Sequence, residues 1–199
     1  MNIKKSFPAI VGSSYSQFNI DNSTFNNLIL TNGLFGDQSN YTINNSHFDK
    51  IQNNSKSLLY LLNNDFTITN SIIENISCVG DSGDSAFILY ETYDMKTSLI
   101  IDHTDIKNCI SNGPFIKIFG MSNNFILENS NVSNVVAYGS IIENMSEKSS
   151  VKMSNMNFNK NINNNKFDCG TIHFKNNVDF YLYDSFFTHN QCKSYGGAM

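Results

Sequence analysis

The sequence contains no arginine and no tryptophan, and only 2 of its 199 residues are proline. Arginine is the residue that contacts phosphate and guanine through two parallel hydrogen bonds. Its absence, together with a net charge of −4, therefore disfavours nucleic-acid binding. No apolar run approaches the roughly 18 residues that a membrane-spanning helix needs. Cys78, Cys109, Cys169 and Cys192 lack metal-ligand spacing, so disulfide pairing and burial as free thiols both stay open.

Asparagine is the abundant residue, with 33 copies in the chain. Such a composition is often typical of low-complexity sequence. Here, however, the asparagines fall at fixed places between apolar residues, which biased composition alone would not produce. The periodicity therefore predicts a folded repeat.

Seven segments of ten residues align without gaps and carry apolar residues at their first, third and eighth positions. A spacing of two predicts short strands rather than helices. Between the two strands of each segment, the fifth position is Asn or Asp in six of seven copies, which suits a left-handed corner whose amides would bond to one another along the stack. The segments begin near residues 18, 41, 66, 99, 125, 151 and 180.

A third strand is predicted after a connection of variable length in each repeat. Leucine-rich repeats need a Leu-x-x-Leu-x-Leu pattern that is missing, and an antiparallel sandwich would need tight hairpin signals between strands. We therefore expect an all-β fold, a right-handed parallel β-helix of about seven coils, with residues 1–199 forming one segment of a longer repeat protein. Third strands are expected at Ser57, Ser85, Gly113, Gly139, Gly170 and Gly196, and Asn32-Gly33 also lies just before or at a third strand, with Pro8 opening a partial coil.

The last coil carries the most specific motif. Phe187-Thr188-His189-Asn190, followed by Gly196-Gly197-Ala198-Met199, resembles the FxxN and GGA[ILV] signature of polymorphic outer membrane protein repeats, and Phe158 to Asn161 repeat its first half. The resemblance implies an extracellular or cell-surface protein, often adhesive, with broader kinship to the pectin-lyase-like fold. Lyases of that fold use an arginine base beside calcium-binding carboxylates, and polygalacturonases carry motifs that this chain also lacks.

Two functional hypotheses follow. The first is a non-catalytic surface module for adhesion, ligand display or spacing, with a carbohydrate or a cell-surface protein as its partner. The alternative is a carbohydrate-active enzyme, either a polysaccharide lyase or a glycoside hydrolase, whose catalytic residues the sequence does not identify. We expect neither a resident cofactor, nor a nucleic-acid partner, nor a transmembrane segment.

Outward residues of a β-helix stack about 4.8 Å apart, so residues distant in sequence become neighbours. On this basis Asp102 and Glu128, with Asp105 one strand away, are predicted to form an acidic patch that would bind a cation such as calcium. Asp49 and Glu74, followed by Lys107, form a second predicted column. The insertions at residues 79–85 and 91–98 predict a binding loop, because insertions of repeat proteins cluster on one face. Its candidate residues are Asp81, Asp84, Tyr93 and Asp94.

Overall fold

A computed structural model describes residues 8–10, 15–80, 85–93, 96–167 and 170–194. Within these ranges the chain forms 24 strands and no helix. All strand pairs are parallel, and each strand pairs with the equivalent strands of the neighbouring coils. The strands build three sheets that wind into a β-solenoid of about six turns. This confirms the predicted fold class.

The first sheet contains the seven predicted first strands in their predicted register. Phe18 pairs with Tyr41, Tyr41 with Phe66, and the alignment continues without a slip to Phe180. With strands numbered in chain order, this sheet consists of β1 (Gln17–Asp21), β4 (Asn40–Asn44), β7 (Phe66–Thr69), β10 (Thr97–Asp102), β14 (Ser122–Glu128), β18 (Lys148–Ser154) and β22 (Asn177–Tyr183).

The second sheet has eleven strands, because the second strand of each later coil divides into two pieces. The early coils contribute β2 (Thr24–Leu30), β5 (His47–Asn53) and β8 (Ile72–Cys78). The later coils contribute β11 (Asp105–Lys107), β12 (Ile110–Ser111), β15 (Asn131–Ser133), β16 (Val136–Ala137), β19 (Asn157–Asn159), β20 (Ile162–Asn163), β23 (Phe186–Thr188) and β24 (Gln191–Cys192).

The third sheet has six strands, and five of them match predicted third strands, starting at or up to three residues after the predicted positions. The first begins at Phe35, two residues after Gly33, in agreement with the third strand expected at or just after Asn32-Gly33, and the strand predicted at Gly196 lies outside the described residues. Ile10 bridges Phe35 in parallel, as expected if Pro8 opens a third-sheet segment. The sheet consists of β3 (Phe35–Asp37), β6 (Ser57–Leu62), β9 (Ala86–Thr92), β13 (Ile116–Gly120), β17 (Ile142–Asn144) and β21 (Ile172–Phe174).

The interior is a stack of apolar side chains, one layer per coil. The predicted first, third and eighth positions of the middle coils are buried, among them Tyr41, Ile43 and Phe48. Aromatic rings lie face to face in adjacent layers, with centroids 4.8 Å apart for Phe25 and Phe48 and 4.8 Å apart for Phe158 and Phe187. Each coil thus buries its apolar face only against its neighbours.

Left-handed residues shape two corners of every coil. The predicted corner is confirmed, because all seven residues at the fifth position have φ between 43° and 52°. A second left-handed column, two residues after the apolar eighth position of each repeat, was not predicted. In the later coils it separates the two pieces of the second strand. Its members are Asn27, Lys50, Asn75, Asn108, Asn134, Lys160 and His189, with φ between 52° and 56°.

Serine hydroxyls stabilise the first corner from inside. The Ser46 hydroxyl donates to the Asn44 carbonyl and accepts the Ser23 amide of the preceding coil at 3.2 Å. Ser71 repeats both contacts one layer further on, accepting from the Ser46 amide at 3.1 Å. The small sixth residue of the repeat therefore satisfies backbone groups that would otherwise be buried without partners.

Candidate functional site

A groove of about 610 Å³ runs along the outer face of the third sheet, parallel to the solenoid axis. Its lining residues come from consecutive coils, from Lys56 at one end to Asn176 at the other. Strand pairing places these side chains: Leu89 lies in register with Tyr60 and Lys117, and Glu91 lies in register with Phe119. The groove therefore follows from the regular stacking of outward positions.

The floor and rim of the groove have different chemistry. Phe119, Met121 and Met145 supply apolar surface, and the buried Leu89 lies beneath them. Tyr93 is 48% exposed and Met121 is 45% exposed, so both offer apolar area to a ligand. Lys56, Glu91, Lys117 and Glu147 supply charges of both signs.

Gly120 positions the end of the groove at the corner where the third sheet leads into the first. Its φ is +118°, a conformation that L side chains rarely adopt, and a Cβ there would clash with the Thr92 carbonyl oxygen. The Gly120 carbonyl accepts the Glu147 amide at 2.9 Å, and the Thr92 carbonyl accepts the Met121 amide at 3.1 Å. Close packing of successive coils at this corner therefore requires glycine.

A hydrogen-bonded pair fixes one wall. The Tyr60 hydroxyl donates to Glu91 Oε2 at 2.8 Å, and Lys56 Nζ lies 5.8 Å from the centre of the Tyr60 ring. Partial burial and the Glu91 carboxylate raise the pKa of Tyr60, so the hydroxyl stays protonated and donating. The lysine over the ring is a cation–π contact.

Two further cavities continue the groove around the corner. A cavity of about 520 Å³ shares Met121 and Glu147 with the groove, and a third cavity of about 430 Å³ shares Ser122, Lys148 and Asn177 with the second. The third cavity is lined entirely by polar residues, which include Lys96 and Asp179. The surface thus changes from apolar on the third sheet to polar on the first. We refer to the three cavities together as the corner groove.

The predicted acidic patch has its two nearest members side by side. Asp102 pairs in register with Glu128, as predicted, and Asp105 lies across the corner on the second sheet. Each carboxylate has partners: Asp102 Oδ1 accepts from Asn129 at 2.8 Å and lies 2.9 Å from His103 Nδ1, and Asp105 Oδ1 accepts from Asn131 at 2.7 Å.

The electrostatics of Asp102 and Glu128 keep both ionised. Partial burial acts to raise the pKa of Asp102, but hydrogen bonds from Asn129 and His103 outweigh it and lower the pKa. The Lys152 ammonium, 2.7 Å away, and the Ser154 hydroxyl lower the pKa of Glu128. A general acid needs a raised pKa, so neither carboxyl resembles one. In the part of the chain that is described, no group of three or more Asp, Glu, His and Cys side chains is arranged to hold a metal ion.

The second predicted column is a compact ionic cluster on the second sheet. Glu74 lies in register with Asp49 and Lys107, and its carboxylate contacts His47 Nε2 at 2.8 Å and Lys107 Nζ at 3.3 Å. Asp49 accepts from Asn75 at 2.7 Å. These partners lower the pKa of both carboxyls, with the hydrogen bonds from Asn75 and His47 as the largest causes.

The predicted binding loop is only partly within the described residues. Tyr93 lies in the corner groove, close to the end of β9, whereas Asp81, Asp84 and Asp94 lie outside the described residues. The groove residues contributed by later coils, such as Met121, Met145 and Lys148, were not predicted. A signal for Met121 and Met145 is that each directly follows a third strand, as Tyr93 does, whereas Lys148 is the first residue of β18.

Comparison with protein-family models, with curated proteins and with solved structures finds no match for this chain. Among the described residues, no helix is long and apolar enough to cross a membrane.

Proposed function

We propose that this chain is a non-catalytic β-solenoid module of an extracellular or cell-surface protein, and that it binds its partner in the corner groove. The observation that carries the proposal is the groove itself: a concave surface along the third sheet, with exposed Tyr93 and Met121 directly after β9 and β13. The FxxN motif of the last coils, which resembles polymorphic outer membrane protein repeats, supports the cell-surface assignment.

Asn161 and Asn190 are the asparagines of the two FxxN motifs, and their hydrogen bonds give a structural reason for asparagine at this position. Asn161 is buried, donates to the Val132 carbonyl at 2.8 Å and accepts the Val135 amide at 3.0 Å. Asn190 donates in the same way to the Phe158 carbonyl and accepts the Asn161 amide at 2.9 Å. The motif therefore ties each coil to the one before it, which favours a long, stiff rod suited to display.

A second candidate function is a carbohydrate-active enzyme of the pectin-lyase-like type. One observation favours it: Glu91 and Glu147 both line the groove, and paired carboxylates are the usual catalytic groups of glycoside hydrolysis. No arginine is available to serve as the base of a lyase. We therefore place this reading second.

Binding and turnover assays distinguish the binding module from the carbohydrate-active enzyme. The folded chain is tested for adhesion to glycan arrays and to cell-surface proteins, and is incubated with uronic and neutral polysaccharides with and without calcium. The proposal is supported if binding falls at least tenfold in a double variant with Tyr93→Ala and Met121→Ser but not in Phe186→Ser. Phe186 is a suitable control because it is 66% exposed and lies on the second sheet. Release of reducing or unsaturated ends that is abolished by Glu91→Gln would establish the enzyme instead.

A further inference from the structure

The length of the corner groove sets the size of its ligand. Lys56, Leu89, Lys117, Met145 and Asn176 belong to five consecutive coils and all line the third-sheet part. Four steps of about 4.8 Å give a length of roughly 19 Å, which about six residues of extended polypeptide would cover at about 3.3 Å each. The cavities that continue around the corner add further length. A linear ligand fits this shape better than a compact small molecule.

The floor favours aliphatic groups over sugar hydroxyls. Phe119, Met121 and Met145 offer few hydrogen-bond partners, so hydroxyls desolvated against them would lose their bonds to water without replacement. Methionine adapts its shape to different apolar side chains and is over-used at peptide-binding surfaces. The apolar part of the groove therefore suits alternate side chains of an extended peptide.

The polar part of the groove carries positive charge that is available to a ligand. Lys96 and Lys148 line it together with Asp179, and neither lysine makes an ion pair with another described residue. The whole chain has a net charge of −4, so this end differs in sign from the protein average. An anionic group on the ligand would be attracted there.

We propose that the corner groove binds an extended segment of a partner protein in which alternating apolar residues are flanked at one end by Asp or Glu. The apolar side chains lie over Phe119, Met121 and Met145, and the carboxylates reach Lys96 and Lys148 around the corner. The inference rests on the proposed function, because it names the partner class of the same groove.

The test selects peptides without assuming their sequence. A displayed library of random dodecapeptides is selected on the immobilised, folded chain, and enriched peptides are synthesised and measured by fluorescence anisotropy. We expect enriched peptides to alternate apolar residues and then carry two or more acidic residues at one end. Their affinity should fall at least tenfold for Met121→Asp and for Lys148→Glu, and should fall with rising salt concentration for the wild-type chain.

Matched variants keep the result interpretable. Lys160→Glu makes the same charge reversal at an exposed lysine on the second-sheet corner and should bind the peptides as the wild type does. Circular dichroism melting of each variant verifies that the solenoid is folded. Loss of binding in Lys160→Glu equal to that in Lys148→Glu would overturn the groove assignment.

Other outcomes also decide the question. No enrichment, enrichment of basic peptides, or peptides that bind Met121→Asp with unchanged affinity would each overturn the inference. If acidic oligosaccharides bind instead and Tyr93→Ala, Met121→Ser weakens that binding, the peptide inference fails while the proposed binding function stands. If surface adhesion is unaffected by every groove variant, both fail.

Discussion

The Asn155 side chain donates its Nδ2–H to Oδ1 of Asn129, the residue in the same place one coil earlier, over a distance of 2.9 Å. Both residues have left-handed backbones, with φ of 52° and 47°. The predicted amide ladder is thus confirmed at this step. At two other steps the acceptor is the residue at the neighbouring fourth position of the repeat: Asn129 donates to Asp102, and Asn70 donates to Asn44 at 2.9 Å. The ladder joins two columns, because either position places an oxygen above the corner.

Substitution of Asn155 should separate backbone conformation from the amide bond. Asn155→Gly keeps the left-handed conformation without strain and loses the hydrogen bond, so the free energy of unfolding should fall by about 1 kcal/mol. Asn155→Ala also carries the cost of a left-handed backbone and should lose a further ~1 kcal/mol or more. Urea denaturation followed by circular dichroism measures both. Equal losses in the two variants would mean that the backbone conformation contributes nothing.

Gly120→Ala should destabilise the solenoid much more than Gly36→Ala. At Gly120 the new methyl group would meet the Thr92 carbonyl in a left-handed conformation, whereas at Gly36 its nearest neighbour is Pro8 Cγ at 3.1 Å. We expect a loss of about 3 kcal/mol or more for Gly120→Ala and less than about 1 kcal/mol for Gly36→Ala. Thermal melting should show the difference as a melting temperature lower by several degrees, together with weaker binding in the corner groove. Similar melting temperatures would contradict the steric argument.

Acidification should weaken the ionic cluster around Glu74. The folded state lowers the pKa of Asp49 and Glu74 below their ordinary values of 3.8 and 4.5. Their stabilising contribution is therefore complete above the ordinary values and is lost as the pH falls through the lowered ones. Urea midpoints measured between pH 7 and about pH 3 should decrease towards acid.

The variant Glu74→Gln isolates this carboxylate. At pH 7 it should lose less than about 1 kcal/mol, because His47 and Lys107 are substantially exposed. Its urea midpoint should then depend less on pH than that of the wild type. Glu147→Gln, which removes a carboxylate from the rim of the groove, serves as the control and should retain the wild-type pH profile. A Glu74→Gln profile identical to the wild type would refute the role of the cluster.

The fold was predictable because the sequence repeats a local rule. Apolar residues two apart at Phe66 and Ile68, followed by the left-handed Asn70, specify a strand, its inner face and its corner without reference to distant residues. The second left-handed column was missed because Lys50 and Lys160 occupy it as well as asparagine. The residue type at this position therefore does not mark it as a left-handed corner.

The candidate site was less predictable because it depends on loops of unequal length. Adjacency of Asp102 and Glu128 follows from the gapless repeat, so the sequence predicted it. Tyr93 and Met121 directly follow third strands, and the number of residues between a third strand and the next ten-residue segment differs between coils. The gapless alignment of those segments therefore does not place them beside Lys148, the first residue of β18. Only the three-dimensional path from the third sheet to the first shows that they border one groove.

The two buried cysteines provide a last test of the packed core. Cys78 and Cys109 are free thiols with no exposed surface, and burial raises the pKa of both, that of Cys109 to about 12. Thiolate is the reactive form, so both thiols should resist a thiol reagent in the folded chain.

A variant with Cys169→Ser and Cys192→Ser retains only this pair. With dithionitrobenzoate it should release almost no chromophore in buffer and two equivalents of chromophore in denaturing urea. A variant in which Cys192 alone is restored should react in the native state, because Cys192 is half-buried. Rapid reaction of the buried pair without denaturant would mean that coils at this level open readily, and would contradict the closely packed stack described for the middle of the solenoid.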